Sequence, residues 1–417
     1  MSAEPGAFSR RRLLLAAAVL PMLPMVEAAL LKAQEAWAET VVDLVTTYNL
    51  RAGTDITATL NRAIAANPGK VLILSGSGTY LVNDTGVRLN QPGTTLRLNS
   101  TTLKLIPSTL GAYDLITISA ANCAVFYGTI LGDVRTHRGT TGEWGHGINI
   151  APGATNARVS GTRINECWGD GIYLNAPGTK GILIDGVRCD RNRRQGISVI
   201  ACGSGRIVDS HFTNTGKVKF TAPGCGIDLE PNAGAGDILG LTIARCTVSG
   251  NRGGGILMVA VARTANVADI SVCTVTGNSR YGIRSCQIGA GTTAWKISSS
   301  TVSGNKGDGV QLSAPVVLFR VRSTGNSNYG FSFLGGSKGS VATSCTADHN
   351  SAGSRRSEFT IRDKITLIGC TADPKKRSNY SWHFKTSGGT TPKGTVMTRC
   401  KGLKGRKGVS YYGRGTK

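Results

Sequence analysis

The sequence predicts an all-β chain: a single-stranded right-handed parallel β-helix, a solenoid, with a short capping helix at its N-terminal end. Three observations predict it. A glycine-led motif recurs as "HGINI", "DGIYL", "QGISV", "CGIDL", "GGILM", "YGIRS", "DGVQL" and "YGFSF", with its Gly at 147, 171, 196, 226, 255, 282, 309 and 330, so that successive motifs stand 24, 25, 30, 29, 27, 27 and 21 residues apart. Many of these units also carry "TGN" or "SGN" some residues ahead of that Gly. Each unit holds two or three short alternating segments separated by turns, with no room for a long helix. One such unit cannot bury its apolar side alone, whereas stacked units make a continuous core. Coils about 4.8 Å apart, the ordinary interstrand distance, satisfy that need.

The elements follow in order. Residues 9–14, "SRRRLL", precede the apolar run "LAAAVLPMLPMV". An arginine pair ahead of a modest apolar stretch is the pattern of a secretory leader of the twin-arginine type, expected over 1–38, with cleavage after Ala38 or nearer Ala28. Pro21 and Pro24 break the run, so no membrane span is expected in the mature chain. The stretch "DITATLNRAIAANPGK" then has helical spacing in Ile56, Leu60 and Ile64, followed by a strand from Val71 to Leu74. A helix at this place covers the open end of a stack of coils, as repeat architectures require. The coils are expected over 39–400, and residues 401–417, "KGLKGRKGVSYYGRGTK", read as a basic tail.

Composition bounds the function. The 56 Gly show no three-residue period, which excludes collagen. The balance of 48 Lys and Arg against 24 Asp and Glu gives +24, which favours a polyanionic contact such as an acidic polysaccharide or a cell wall. No zinc-finger, basic-leucine or aromatic RNA-binding pattern is present, so nucleic acid is not the expected partner. Of the 11 Cys, Cys167, Cys189, Cys246, Cys273, Cys345 and Cys370 are expected at one recurring place, as a stack of buried thiols rather than disulfides. No CxxC pair and no His/Cys cluster has zinc spacing.

The alternation of "GIDLE" aims Ile227 and Leu229 inward and Asp228 and Glu230 outward. The same register gives an outward row of Asn149, Tyr173, Ser198, Asp228, Leu257, Arg284 and Gln311, and a second of Asn175, Ile200 and Glu230. Two outward residues on one strand are about 6.6 Å apart at the backbone. Their carboxyl groups can therefore reach either separation used in glycoside hydrolysis, about 5 Å or about 6.5–9.5 Å. Asp228, Glu230 and Asp170 are the expected catalytic acids, one donating a proton to the leaving oxygen and another activating water. Arg193, Arg194 and Gln195 are expected to hold substrate, the arginines by two-pronged contact, with Asn175 and Asp190 nearby. Trp144, Trp168 and Tyr173 are expected against the apolar faces of sugar rings, and His146 as a proton carrier.

At this point the chain resembles the pectin-lyase-like right-handed β-helix proteins, through "DITATLNRAIAANPG…TY" at the cap and the repeats across roughly 45–400. "NRRQGISV…FTNTG…GIDLEPN" is similar to unclassified, glycosyl-hydrolase-like members. The "GHG" at 145–147 lacks the DD pair ahead of it and the RxK stretch behind it that polygalacturonase-like hydrolases carry. The resemblance implies the fold and says little about the reaction; the paired acids, the aromatic residues, the basic charge and the leader together favour a secreted or periplasmic polysaccharide hydrolase without a metal, acting on an acidic glycan. Its alternatives are a β-eliminating lyase, in which calcium-binding acids serve with Arg193, Arg194, Lys217 or Lys219 as base, an epimerase of uronic residues, and a non-catalytic glycan- or wall-binding solenoid.

Overall fold

A computed structural model of the chain describes residues 40–289, 291–350, 357–373, 382–386 and 395–402. The expected leader and nearly all of the basic tail lie outside these residues. Most coils contribute one short strand to each of three parallel sheets, whereas Thr95–Leu105 and Ala124–Leu131 run unbroken through the second and third. The first sheet runs from Val87–Leu89 through Trp144–Ile150, Ile172–Ala176, Ile197–Cys202, Ile227–Leu229 and Ile256–Val261 to Trp382–Thr386. The second includes Arg158–Ser160, Ile182–Asp185 and Ile238–Ala244, and the third Arg163–Asn165, Arg188–Asp190, His211–Thr213 and Thr247–Ser249.

Like residues stack in register inside the solenoid. Ile148, Ile172, Ile197, Ile227, Ile256 and Ile283 occupy one file along the first sheet, and all are fully buried. Each such side chain contributes about 1.5–3 kcal/mol of burial, and the repeat makes that contribution once per coil. The helix Thr57–Ala66 covers the N-terminal end with Leu60, Ala63 and Ile64 fully buried. Asn61 fastens it to the coil below, donating to the Gly86 carbonyl at 2.8 Å and accepting from the Arg88 amide at 2.8 Å.

The two recurring sequence signals meet at one corner. The Asn of each "SGN" or "TGN" turns inward between the third and first sheets, where Asn251, Asn278, Asn305 and Asn326 are fully buried. Each donates its side-chain amide to the Asn one coil on, at 2.8–2.9 Å, and the series ends on Asn350. The motif Gly packs against this ladder. A Cβ at Gly282 would stand 2.7 Å from Asn305 Nδ2, and one at Gly309 2.7 Å from Asn326 Nδ2. Ladder and glycine therefore require each other.

The cysteines are all free, but they do not share one place. Cys246, Cys273, Cys345 and Cys370 stack at the corner between the second and third sheets, each after a residue of positive φ (Arg245, Val272, Ser344, Gly369). Cys189 stands mid-strand on the third sheet, in register with Ile164 and Phe212, and Cys167 turns the opposite corner. All six are buried. The repeat gives a period, and three inward positions of different phase each accept a small apolar thiol.

Candidate active site

The outward row of the first sheet is continuous in register from Arg88 and Thr117 through Asn149, Tyr173, Ser198, Asp228, Leu257 and Arg284 to Gln311. This is the row expected from alternation. Its middle is unusual, because residues that point away from the core are nonetheless shielded from water.

Asp228 is 1% exposed. Gln195, fully buried, donates Nε2 to Asp228 Oδ2 at 2.6 Å and accepts the Cys225 amide at 2.7 Å on its own oxygen. Asp228 Oδ1 has no partner. Leu257 stands beside it in the row, within a small apolar cluster of Cys225, Leu257, Val259 and Tyr281 outside the main core. Burial here, reinforced by Glu230, pushes the Asp228 carboxyl well above the usual carboxylate range, against the opposing pull of Arg194. Glu230 follows the strand, half-buried, its amide bonded to the Val199 carbonyl.

Asp170 sits one residue before the motif Gly171 and has no exposed surface. Arg194 Nη1 reaches its two oxygens at 3.1 and 3.4 Å and the Ser198 hydroxyl at 3.3 Å, while Nε lies 3.6 Å from Glu143. Burial raises Asp170 to about 6, with Arg194 holding it from going higher. The Asp170 amide donates to His146 Nδ1 at 3.2 Å, which leaves the ring proton of a neutral imidazole on Nε2. Burial and the Arg194 charge lower His146 to about 3, so its 3.8 Å approach to Asp170 Oδ2 is no ion pair near neutrality. The His146 ring stacks on Tyr173, centroids 4.5 Å apart. Together with Ala112, Tyr113, Asp114, Trp144 and Asn149 they line a surface pocket of about 380 Å³.

The neighbouring arginines part company. Arg193 turns back into the protein, 8% exposed, with its guanidinium 3.7 Å over Trp168. It donates to the Gly142 carbonyl at 2.9–3.0 Å and to the Trp168 carbonyl at 3.1 Å. Trp168 is 4% exposed, and His137 stacks on its ring at 3.8 Å. Asp133 accepts from Tyr113 at 2.6 Å and bonds His137 Nδ1 at 2.8 Å. This buried stack fixes the connection 132–143, which delivers Glu143 and Trp144 to the site.

Several sequence expectations are corrected by these contacts. Trp168 and Arg193 have their faces and donors occupied by the protein itself, so they hold the wall of the site and are not free to grip a sugar. Gln195 is fully buried, with its amide bonded to Asp228 and the Cys225 backbone, so it has no surface to offer a substrate. Asp190 belongs to the third sheet, bound by Thr213 at 2.6 Å, Asn214 at 2.8 Å and Arg191 at 3.1 Å. Asn175 pairs with Ala201 because the register shifts after Leu174, so the second outward row is broken at Ile200, itself 4% exposed. Asp170, Arg194, His146, Tyr173, Asp228 and Glu230 are brought together, with Trp144 half exposed at the rim of the pocket. Asp114 was missed: it stands in register with His146, two residues before the buried Ile116 in "AYDLITI", a spacing that alternation assigns to the inward face. Among the described residues no three His, Cys, Asp or Glu side chains converge to hold a metal ion. With both Asp170 oxygens facing Arg194 and Asp228 Oδ2 taken by Gln195, these acids do not fit the calcium of the lyase alternative.

A family model described as a right handed beta helix region matches residues 127–265. The uncharacterized protein YclG of Bacillus subtilis is 28% identical over 215 residues, a match covering 44% of this chain and 36% of that protein, so the chain spans about a third of the relative's length. Among solved structures, the A-module of mannuronan C-5 epimerase AlgE4 from Azotobacter vinelandii matches with a TM-score of 0.51 at 14% identity, over 87% of this chain and 98% of that one. The Agl-KA catalytic domain matches at 0.58 and 14% identity, over 88% and 69%. Identities this low speak for the fold alone. Three parallel sheets, an N-terminal capping helix and these matches together show the right-handed parallel β-helix fold that the sequence repeats predict.

Proposed function

We propose that the chain is a polysaccharide-active enzyme that hydrolyses glycosidic bonds. Asp228 acts as general acid and Glu230 as the base that activates water, while Asp170 and Arg194 set the field around them. The observation that carries this reading is the divided environment of the carboxyls. One Asp228 oxygen is tied to Gln195, the other is unpartnered, and an apolar cluster beside it favours the protonated form. Such a group keeps a proton to give at neutral pH. Glu230, on the same strand run but half-buried, retains access to water. Asp170 faces a guanidinium and ionises through about 6. Turnover is therefore expected to rise with pH as Asp170 ionises and to fall at higher pH as Asp228 loses its proton.

A second reading, β-elimination or epimerisation of a uronide, draws support from the neutral His146 stacked on Tyr173 beside Arg194. The experiment that separates them follows reducing-end release and the ultraviolet absorbance of an unsaturated uronide on the same polysaccharide panel. Reducing ends without absorbance support hydrolysis, and absorbance overturns it. The leader expected over 1–38 adds export to a secreted or periplasmic location, checked by fractionating cells that express the chain with Arg11→Lys and Arg12→Lys. The +24 surface charge favours retention at an anionic wall, which high salt would release.

A further inference from the structure

The pocket of about 380 Å³ beside His146 has a chemical bias of its own. Its lining contains no Lys or Arg: the residues are Ala112, Tyr113, Asp114, Trp144, His146, Asn149 and Tyr173. His146 carries no charge near neutrality. Of the guanidinium groups around it, Arg194 donates Nη1 to Asp170 and Ser198 with Nε 3.6 Å from Glu143, and Arg193 donates to the carbonyls of Gly142 and Trp168. Against this, the pocket holds acceptors. Asp114 Oδ2 takes Asn149 Nδ2 at 2.8 Å and Thr117 Oγ1 at 3.2 Å, and no donor pairs with Asn149 Oδ1. Trp144 supplies an aromatic surface that is 50% exposed at the start of its strand. A ligand carboxylate would meet Asp114 with no lining cation to receive it. A ring bearing hydroxyl groups offers the donors these acceptors lack and an apolar face for Trp144.

We propose that this pocket is a subsite for a neutral, hydroxyl-bearing sugar ring, and that the polysaccharide is a neutral glycan. The +24 charge then belongs to other faces and to the ends of the chain, not to substrate selection. The placement of the subsite next to a cleavage point rests on the hydrolase reading, but its binding of a neutral ring does not.

The test titrates the full chain, and its Asp228→Asn variant, with oligosaccharides of glucose, mannose, galactose and xylose, with oligogalacturonate and with oligoglucosamine, at low and high salt. At least one neutral series is expected to bind, with an affinity that does not change with salt. Trp144→Ala, at an exposed position, is expected to weaken that binding about tenfold, and Asp114→Ala to weaken it several-fold. Preference for oligogalacturonate or oligoglucosamine with salt-sensitive affinity overturns the proposal. So does binding of no neutral series, or neutral binding untouched by Trp144→Ala. Binding that obeys these expectations without any reducing-end release sinks the hydrolase reading and leaves the subsite standing.

Discussion

Asp170 and Asp308 occupy the same place on two coils, each immediately ahead of its motif Gly and each facing a serine of the outward row one coil on. Asp308 accepts from Ser332 at 2.7 Å, from Gln311 at 3.1 Å and from the Tyr329 amide at 3.4 Å. Its needs are met by neutral donors of the scaffold. Asp170 is bonded to Ser198 in the same way but also faces Arg194, with His146 on the coil before and Asp228 two coils on. Asn328 stands where Arg194 would be, two residues before the motif Gly. The seat is thus a property of the repeat, and the chemistry a property of which neighbours the adjoining coils supply. An acid at a recurring position says little until the coils on either side are known.

The largest expected effect contrasts the two regions directly. Asp228→Asn should lower turnover by about 10²- to 10⁴-fold, the usual worth of general acid–base catalysis, while Asp308→Asn leaves turnover unchanged. Equal losses from both would mean that the row acts through the fold alone. Arg194→Gln comes next, with turnover expected to fall by about one to two orders of magnitude. Its sharper readout is the pH profile. Arg194 lowers both Asp170 and Asp228, so its loss raises both groups and should move both limbs of the profile to higher pH, the acid limb starting from about 6. A profile that scales down without moving would break the link between these residues.

The row, the glycine period and the acids at 228 and 230 were legible in the sequence, because strand alternation has a fixed period of two. The phase within a coil was not. Asp190 was assigned to the working face and stands on the third sheet, since the sequence spacing of one strand to the next does not reveal which corner lies between them. Arg193 and Arg194 are indistinguishable in "NRRQG", yet one lies on Trp168 and the other on Asp170. Their fates depend on the connection 132–143, some fifty residues away, which no local pattern announces. The +24 total was equally mute on where charge sits.

A smaller effect is expected at that connection. Trp168→Phe keeps a ring but shrinks the surface shared by His137 and Arg193, and cation–π contacts of this kind are worth about 0.5–2 kcal/mol. The Michaelis constant should rise a few-fold with little change in kcat, and limited proteolysis should cut within 132–143 more readily. A fall in kcat at constant KM would place Trp168 in the chemistry itself. Glu358, another buried acid of the later coils, should have no effect on turnover. Burial raises it to about 7, whereas the unfolded chain releases that proton near its ordinary value of 4.5. Its contribution to stability is therefore complete below about 4.5 and is lost as pH rises through about 7, by no more than about 3 kcal/mol. Glu358→Gln should flatten that slope in urea unfolding at pH 5 and pH 8.

Glu358 also ends the asparagine ladder, where it accepts both the backbone and the side-chain amide of Asn350. From Asn251 onward each rung sends one side-chain N–H to the Asn of the next coil and the other back to a backbone carbonyl of the coil before, while every side-chain carbonyl points toward the N-terminal coils. The amide dipoles therefore add head to tail, and each bond polarises the next. The electronegative end is met by the Thr215 amide at 2.9 Å and the electropositive end by the Glu358 carboxyl. The solenoid consequently carries an electrical direction along its axis, terminated at both ends by a group of matching sign. A whole coil with its own Asn can be inserted within this column without interrupting it, whereas a break at any one rung divides it into two shorter dipoles with unmatched ends.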